Sequence, residues 1–372
     1  MRQKVYTLPR HTNLASQGLR ITACIVDFAI TLALTLGFLF GIFQFVFAKP
    51  LGKYNDLLNK YQTESHLRVV DEKGSPKNVD NKIEVYEKVL PEFYLHYMAG
   101  IPMENEPVTP NASEPVKVDG KEYKRSEYFT VDFYNREVLG ITLKDPDAET
   151  STCLFTYQKD DKGNYLKDKI GVRREKFYDA DTEQYREVKD SDVLSYYSSA
   201  YVAANYYLAR QDYYKDASNN YNFILQAELC VSMILGGLIS YVILPLFLKN
   251  GQTLGKKIFK MGLANYEGYR FHDYQLLLRF VPYFIMGIAL LFPIWISMFL
   301  SLGIYIVVVL ISFALMMASP KRCALHDFAA RTIVIDLEGS TLFENELEEE
   351  VYIRKEDGLP PLEEEQDGNE AY

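Results

Sequence analysis

Apolar residues are gathered into long blocks in this chain. Ile21 to Ala48 is a 28-residue stretch broken by one charge, Asp27, where roughly 20 residues are enough to cross a hydrocarbon core about 30 Å thick. A second block runs from about Phe223 to Leu248 with Glu228 near its start, and a third, Phe280 to Ala318, is 39 residues without a charged side chain. That last block is too long for one span and right for two. A break near Met298 to Gly303 divides it into helices around Leu276 to Met298 and Leu302 to Met317. Trp295 then falls at an interface, and Pro282 and Pro293 are positioned to kink the third helix. The pattern predicts four spanning helices. A signal peptide is the rival for the first block, but the block is about twice the usual apolar length and has no small-x-small cleavage site.

Between the first two blocks lies a segment of another character. Residues 49–222 hold 20 of the 29 tyrosines and no apolar run long enough to span. Disordered segments are poor in aromatics, so a folded α+β domain is expected. Leu51 to Leu67 and Ile83 to Met98 carry apolar residues at helical spacing, and Asp192 to about Asp216 is also read as helical. Pro115 to Val172, with the alternation Tyr128-Phe129-Thr130-Val131-Asp132-Phe133, reads as strands punctuated by Asp-Gly and Lys-Gly turns.

The mean composition conceals this division. The net charge of -10 combines 25 basic and 31 acidic residues in 49–222, 2 and 14 in 336–372, and 13 and 5 in the apolar remainder. Basic clusters precede the first helix (Arg2, Lys4, Arg10, Arg20), join the second to the third (Lys249, Lys256, Lys257, Lys260, Arg270, Arg279) and follow the fourth (Lys321, Arg322, Arg331). With four spans all three lie on one side, which the Lys/Arg bias makes cytoplasmic. The expected organisation is an α-helical integral membrane protein with both termini cytoplasmic. Residues 1–48 form the N-terminus and first helix, 49–222 an inserted extracytoplasmic α+β domain, 223–336 the remaining three-helix core with its basic loop, and 337–372 an acidic cytoplasmic tail. The tail has Glu348-Glu349-Glu350 and Glu363-Glu364-Glu365, a density of like charge that predicts an extended, solvated end, or a docking tail for a basic partner. Nucleic acid is excluded as its partner by charge.

Polar groups inside the apolar blocks are the candidate site, because they are costly there. Arg20, Ala23, Asp27, Thr31 and Thr35 share one helix face and require protein or water opposite. Asp27 is either a carboxylate able to exchange a proton or bind a cation, or a permanent anion neutralised by Arg20, Arg279 or Lys256. Glu228 is expected nearer the outer interface. Ser232, Gly236 and Ser240, and Gly37 with Gly41, are small-residue rows that allow close helix approach, within the chain or in a homo-oligomer. Gly251-Gln252-Thr253-Leu254-Gly255-Lys256-Lys257 lacks the Lys-Ser/Thr pair of a phosphate loop. A short strand and turn is expected through Lys260 to Gly268. His326 and Asp327, adjacent in sequence, are not expected to face one another, and no triad, metal-ligand spacing or cofactor motif is present. The four cysteines, Cys24, Cys153, Cys230 and Cys323, are spread over both sides of the membrane and do not form a disulfide framework, a Cys153–Cys230 or interchain bridge being the exceptions. Asn111-Ala112-Ser113 is a formal glycosylation sequon.

Arg20 with Ala23 and Asp27, Thr253-Leu254-Gly255-Lys256-Lys257, Leu278-Arg279, and Leu325-His326-Asp327 with Thr332 together resemble the RDD family of membrane proteins, over residues 1–48 and 223–336. The resemblance implies a helical membrane core, a signature of Arg20, Asp27 and Asp327, and a supporting cytoplasmic rim of Gly255, Lys256, Lys257, Arg279 and His326. Some members are linked to sodium/proton antiport. The large insert departs from the family pattern, in which a short loop is common. Two functions follow as expectations for a bacterial plasma-membrane protein, neither of them enzymatic. One is a helical core that anchors the outward 49–222 domain for sensing, assembly or contact with an envelope partner. The other is a monovalent-cation/proton exchanger using Asp27.

Overall fold

A computed structural model describes residues 8–103, 114–141, 152–289 and 298–360, without the side chains of 298–302 and 305. The sequon at Asn111, Pro293, Trp295 and Glu363 to Glu365 lie outside the described residues. The chain divides into two compact units, 1–51 with 222–372, and 52–221.

The first unit is helical above a small two-stranded sheet. Helix α1 (Gln17–Gly37) opens on Ser16, whose hydroxyl accepts from the Leu19 amide, and continues without a break to Glu64. Helix α2 (Asp212–Leu238) continues to Phe247. These two are long and apolar enough to cross a membrane. They are followed by α3 (Leu254–Ile258), α4 (Tyr274–Ala289), α5 (Met298–Ala318) and α6 (Leu325–Ala330). The expected break at Met298 to Gly303 is incorrect, since those residues open α5; nothing in their sequence, apart from one glycine, opposes a helix. Pro282 lies inside α4.

Burial on α1 is inverted relative to a soluble helix. Arg20, Ala23, Asp27, Thr31 and Thr35 are its buried residues, while Ile25, Phe28, Leu32 and Leu36 are exposed. The same holds on α4, where Gln275 and Arg279 are inside and Leu277, Val281 and Ile285 outside. An apolar exterior around a polar seam is the arrangement a lipid solvent favours. The Thr31 and Thr35 hydroxyls donate to the carbonyls four residues earlier, each at 2.8 Å, so neither is left unsatisfied.

Below the helices, β1 (Met261–Asn265) pairs antiparallel with β2 (Thr332–Asp336), Leu263 opposite Val334. Leu14 bridges to Ile335 on the far edge of β2. Met261, Leu263, Val334, Ala15, Ala23 and Leu276 form a small core at this rim. β1 is the expected strand; β2 extends a segment that composition had assigned to the end of the core.

The acidic tail departs from its expected extended form. Asn345 caps helix α7 (Glu346–Glu356) by accepting from the Glu348 amide, and Glu346, Glu348 and Glu349 occupy the first turn, with Arg354 and Lys355 in the last. That distribution complements the helix dipole at both ends. Glu349, 7% exposed, accepts from the Arg10 amide at 3.0 Å and the Tyr269 hydroxyl at 3.1 Å. His11 lies edge-on to Tyr352 and 3.1 Å from Glu356. Caps and specific partners therefore overcome the like-charge repulsion.

The second unit is built from helices and two-stranded hairpins around a tyrosine-rich core. Ile83–Pro91 continues helically through Tyr97 and lies along the helix Asp190–Ala209, burying Tyr86, Phe93, Tyr94, Tyr97, Tyr134 and Tyr197 among others. Asp71 and Asp160 each close a hairpin turn by accepting two backbone amides. The alternating segment Tyr128 to Phe133 forms no strand, contrary to expectation: Tyr128 ends one short helix, Phe129 and Thr130 break it, the Thr130 hydroxyl caps the helical turn Val131–Phe133, and ring contacts among Tyr128, Phe129 and Phe133 replace a pleated face. Asn135, fully buried, donates to the Lys169 carbonyl and accepts from the Gly171 amide. All four cysteines are free thiols.

Candidate functional site

The polar seam of α1 leads to two carboxylates at the rim, held in different ways. Asp27, 6% exposed, accepts from the Thr253 hydroxyl through Oδ2 and from the Gly255 amide through Oδ1 at 2.7 Å. It thus supplies an anion from another element to the start of α3, where first-turn amides lack helical partners. Thr253 is simultaneously the N-cap of α3, accepting from the Lys256 amide. The ion pair expected for Asp27 with Arg20, Arg279 or Lys256 is not formed. Seven residues separate Arg20 from Asp27 along the helix, and Arg20 reaches elsewhere.

Gly255 is explained by this contact. A Cβ there would lie 2.3 Å from the Ala23 carbonyl oxygen and 2.9 Å from Asp27 Cγ, so any side chain would push α3 off α1. Gly236 plays the same part higher up, where a Cβ would come 2.6 Å from Thr35 Oγ1. Gly236, the middle of the Ser232–Gly236–Ser240 row, therefore packs on α1 of its own chain. Gly37 and Gly41 have nothing within 4 Å of such a Cβ.

Asp327, with no exposed surface, is the centre of the second arrangement. Arg20 Nη2 lies 2.6 Å from its Oδ2 and Arg279 Nη1 2.5 Å from its Oδ1. The Ala324 amide donates to Oδ2 at 3.0 Å, closing the first turn of α6. Arg20 also donates to the Arg322 carbonyl, and Arg279 to Thr332 Oγ1. One carboxylate thereby joins α1, α4, α6 and the start of β2. Burial opposes its ionisation, but Arg279, His326, Arg20 and the Ala324 amide outweigh burial and hold it well below the usual carboxylate range. His326 Nε2 lies 3.4 Å from Asp327 Oδ1, so the adjacent pair does converge, contrary to expectation, because both sit in the first turn of a short helix. Burial, with Arg279 and Lys256 nearby, lowers the imidazole pKa against the opposing pull of Asp327.

Lys256 is half-buried, whereas Lys257 is exposed. Burial, then the neighbouring Arg279, bring the Lys256 ammonium down to about 8, with Asp27 and Asp327 acting the other way. Burial pushes the Cys323 thiol up to about 11, which leaves it an unreactive core group. Gln275, which the sequence reading passed over, donates to the Ala330 and Arg331 carbonyls at the end of α6; a lone amide among leucines at a helix start was the available signal. Glu228, expected near the interface, is 6% exposed within α2. Among the described residues no group of three or more His, Cys, Asp or Glu could hold a metal ion.

Residues 190–331 match the family model described as RDD family. The chain carries an RDD domain. Gly255, Lys256, Arg279 and Asp327 lie inside the matched residues. Arg20 and Asp27 lie outside them, yet the fold brings both into contact with the matched part. No curated protein and no solved structure matches the chain. The RDD family match over residues 190–331 and the two long apolar helices together support a membrane-associated protein.

Proposed function

We propose that this is a non-enzymatic, four-span plasma-membrane scaffold whose RDD core holds residues 52–221 on the extracytoplasmic side, with both termini and α7 in the cytoplasm. The observation that carries this reading is the use of the two signature acids. Asp27 spends its oxygens on Thr253 and Gly255, and Asp327 on Arg20, Arg279 and the Ala324 amide. Groups engaged in this way fix the inner ends of helices and are poorly placed to load and release an ion. Further support comes from the exposed apolar faces of α4 and α5, where Ile285, Val307, Leu310 and Phe313 face outward, and from the basic residues of the rim. The tyrosine-rich unit is then the part that meets a ligand or an envelope protein.

Topology is tested by impermeant thiol labelling of single-cysteine proteins in intact cells. A cysteine replacing exposed Lys121 is expected to react without permeabilisation, and one replacing Glu346 only after it. Reaction of the Lys121 variant only after permeabilisation would overturn the proposal.

A further inference from the structure

We propose that the helix Asp190–Ala209 pairs antiparallel with the same helix of a second copy of this chain. One face of the helix is occupied inside its own unit, where Val193, Tyr197, Ala204 and Leu208 are its buried residues. The opposite face carries Ser195, Ser199, Val202, Tyr206 and Ala209, all exposed, Val202 at 50% and Tyr206 at 67%. Their separations run four, three, four, three. That is the spacing of two helices packed along a common row, with contact positions recurring about every 3.5 residues. From Val193 to Ala209, 17 residues pass without a charged side chain, within a segment, 49–222, that holds 25 basic and 31 acidic residues. Absence of charge combined with exposed tyrosine is the composition of an interface centre.

The order of sizes along this row points to a second copy as the occupant. Its first half is small, Ser195 and Ser199, and its second half is large, Val202 and Tyr206. A two-fold axis midway between Ser199 and Val202 sets Ser199 against the partner's Val202 and Ser195 against the partner's Tyr206, so each large side chain enters the gap left by a small one. Parallel pairing would instead set Tyr206 against Tyr206 and leave the serine end open. Charge agrees with the antiparallel register. Arg210 is exposed and, among the described residues, has no ion pair in its own chain. It lies 18 residues, about five whole turns, from Asp192, hence on the same side of the row, and the two-fold brings it level with the partner's Asp192, in an acidic first turn with Asp190. The Ser199 hydroxyl donates to the Ser195 carbonyl at 3.0 Å, so closing the row leaves that donor satisfied.

The test uses the full chain in liposomes, its four native cysteines replaced by alanine and one cysteine placed on the row at a time. In the antiparallel register, at roughly 1.5 Å per residue, a position and its copy are separated along the axis by about 5 Å for Ser199→Cys and Val202→Cys and by about 16 Å for Ser195→Cys. Copper-phenanthroline oxidation should link the first two into dimers, and Ser195→Cys at less than about a tenth of their yield. A second readout leaves the native cysteines in place. Val202→Glu should raise the dimer dissociation constant of the detergent-solubilised chain at least tenfold by sedimentation equilibrium, while Val69→Glu, an equally exposed valine of another element, should leave it unchanged. Comparable linking at all three cysteine positions would show a parallel pair and overturn the proposal. So would an unchanged dissociation constant in Val202→Glu. Absence of linking at Ser199→Cys and Val202→Cys, with a bimane on Val202→Cys blue-shifted by lipid, would assign the face to the bilayer; absence of both would leave it to solvent, and either result overturns the second copy as its occupant.

Discussion

Replacing Asp327 with asparagine should be among the most damaging single-atom-scale changes in the RDD domain. The carboxylate has no exposed surface, and the side chains of Arg20 and Arg279 are each 6% exposed. Asparagine preserves shape and one acceptor but leaves two guanidiniums with no anion between them. Breaking a buried pair by removing one partner costs about 3–5 kcal/mol. Because the amide oxygen still accepts from one arginine, the lower end, about 3 kcal/mol, is the expected loss, roughly a hundredfold in the folded-to-unfolded ratio. Denaturant unfolding in mild detergent, followed by circular dichroism, measures it. A double-mutant cycle isolates the cause: Arg279→Met should cost less in the Asp327→Asn background than in the parent, by about 1–3 kcal/mol. An Asp327→Asn protein within about 0.5 kcal/mol of the parent, or additive effects of the two changes, would refute the reasoning.

Further outcomes follow from other contacts. Gly255→Ala should destabilise by about 1–3 kcal/mol through overpacking against Ala23 and Asp27, while Gly41→Ala, which meets nothing within 4 Å, should be close to neutral in the same unfolding assay. The lowered Asp327 pKa places its stabilisation above the ordinary Asp value near 3.8, to be lost as pH falls through the depressed folded value; acid unfolding curves should lose this component in Asp327→Asn. Lys256 has the depressed value of about 8 against an ordinary 10.5, so its contribution is missing below the folded value and grows as pH rises from about 8 to 10.5. Lys256→Gln should flatten that alkaline rise. Glu349→Ala removes the acceptor of Arg10 and Tyr269 and should release α7, seen as faster tryptic cleavage at Arg354 and Lys355 with little change in global stability.

The polar face of α1 was legible because Arg20, Asp27, Thr31 and Thr35 stand out at helical spacing in an apolar run, and membrane physics allows such a stripe only one destination. What each group would touch was not legible. Thr253 lies 226 positions from Asp27 and Asp327 lies 307 from Arg20, so local pattern could not choose between an ion pair and a cap supplied from another helix. Tyr128 to Phe133 shows the opposite failure, where real alternation of apolar and polar residues was overridden by one threonine cap and ring packing. In the tail, charge density pointed to a solvated chain, and the deciding features were the single residues Asn345, Phe343 and Tyr352, which cap α7 and seat it against His11. Gly255 and Gly236 were visible as small residues; only the approach of Ala23 and Thr35 shows why they must be.

The central claim is that Asp27 and Asp327 are internal ties and carry no ion across the membrane. Sodium- or lithium-driven proton flux in sealed vesicles tests it most directly, comparing the purified parent, Asp27→Asn and empty vesicles. The account predicts flux no greater than the empty-vesicle leak for both proteins, with Asp27→Asn distinguished from the parent by lower thermal stability. Cation-dependent flux in the parent that Asp27→Asn abolishes while remaining folded in the membrane would contradict it.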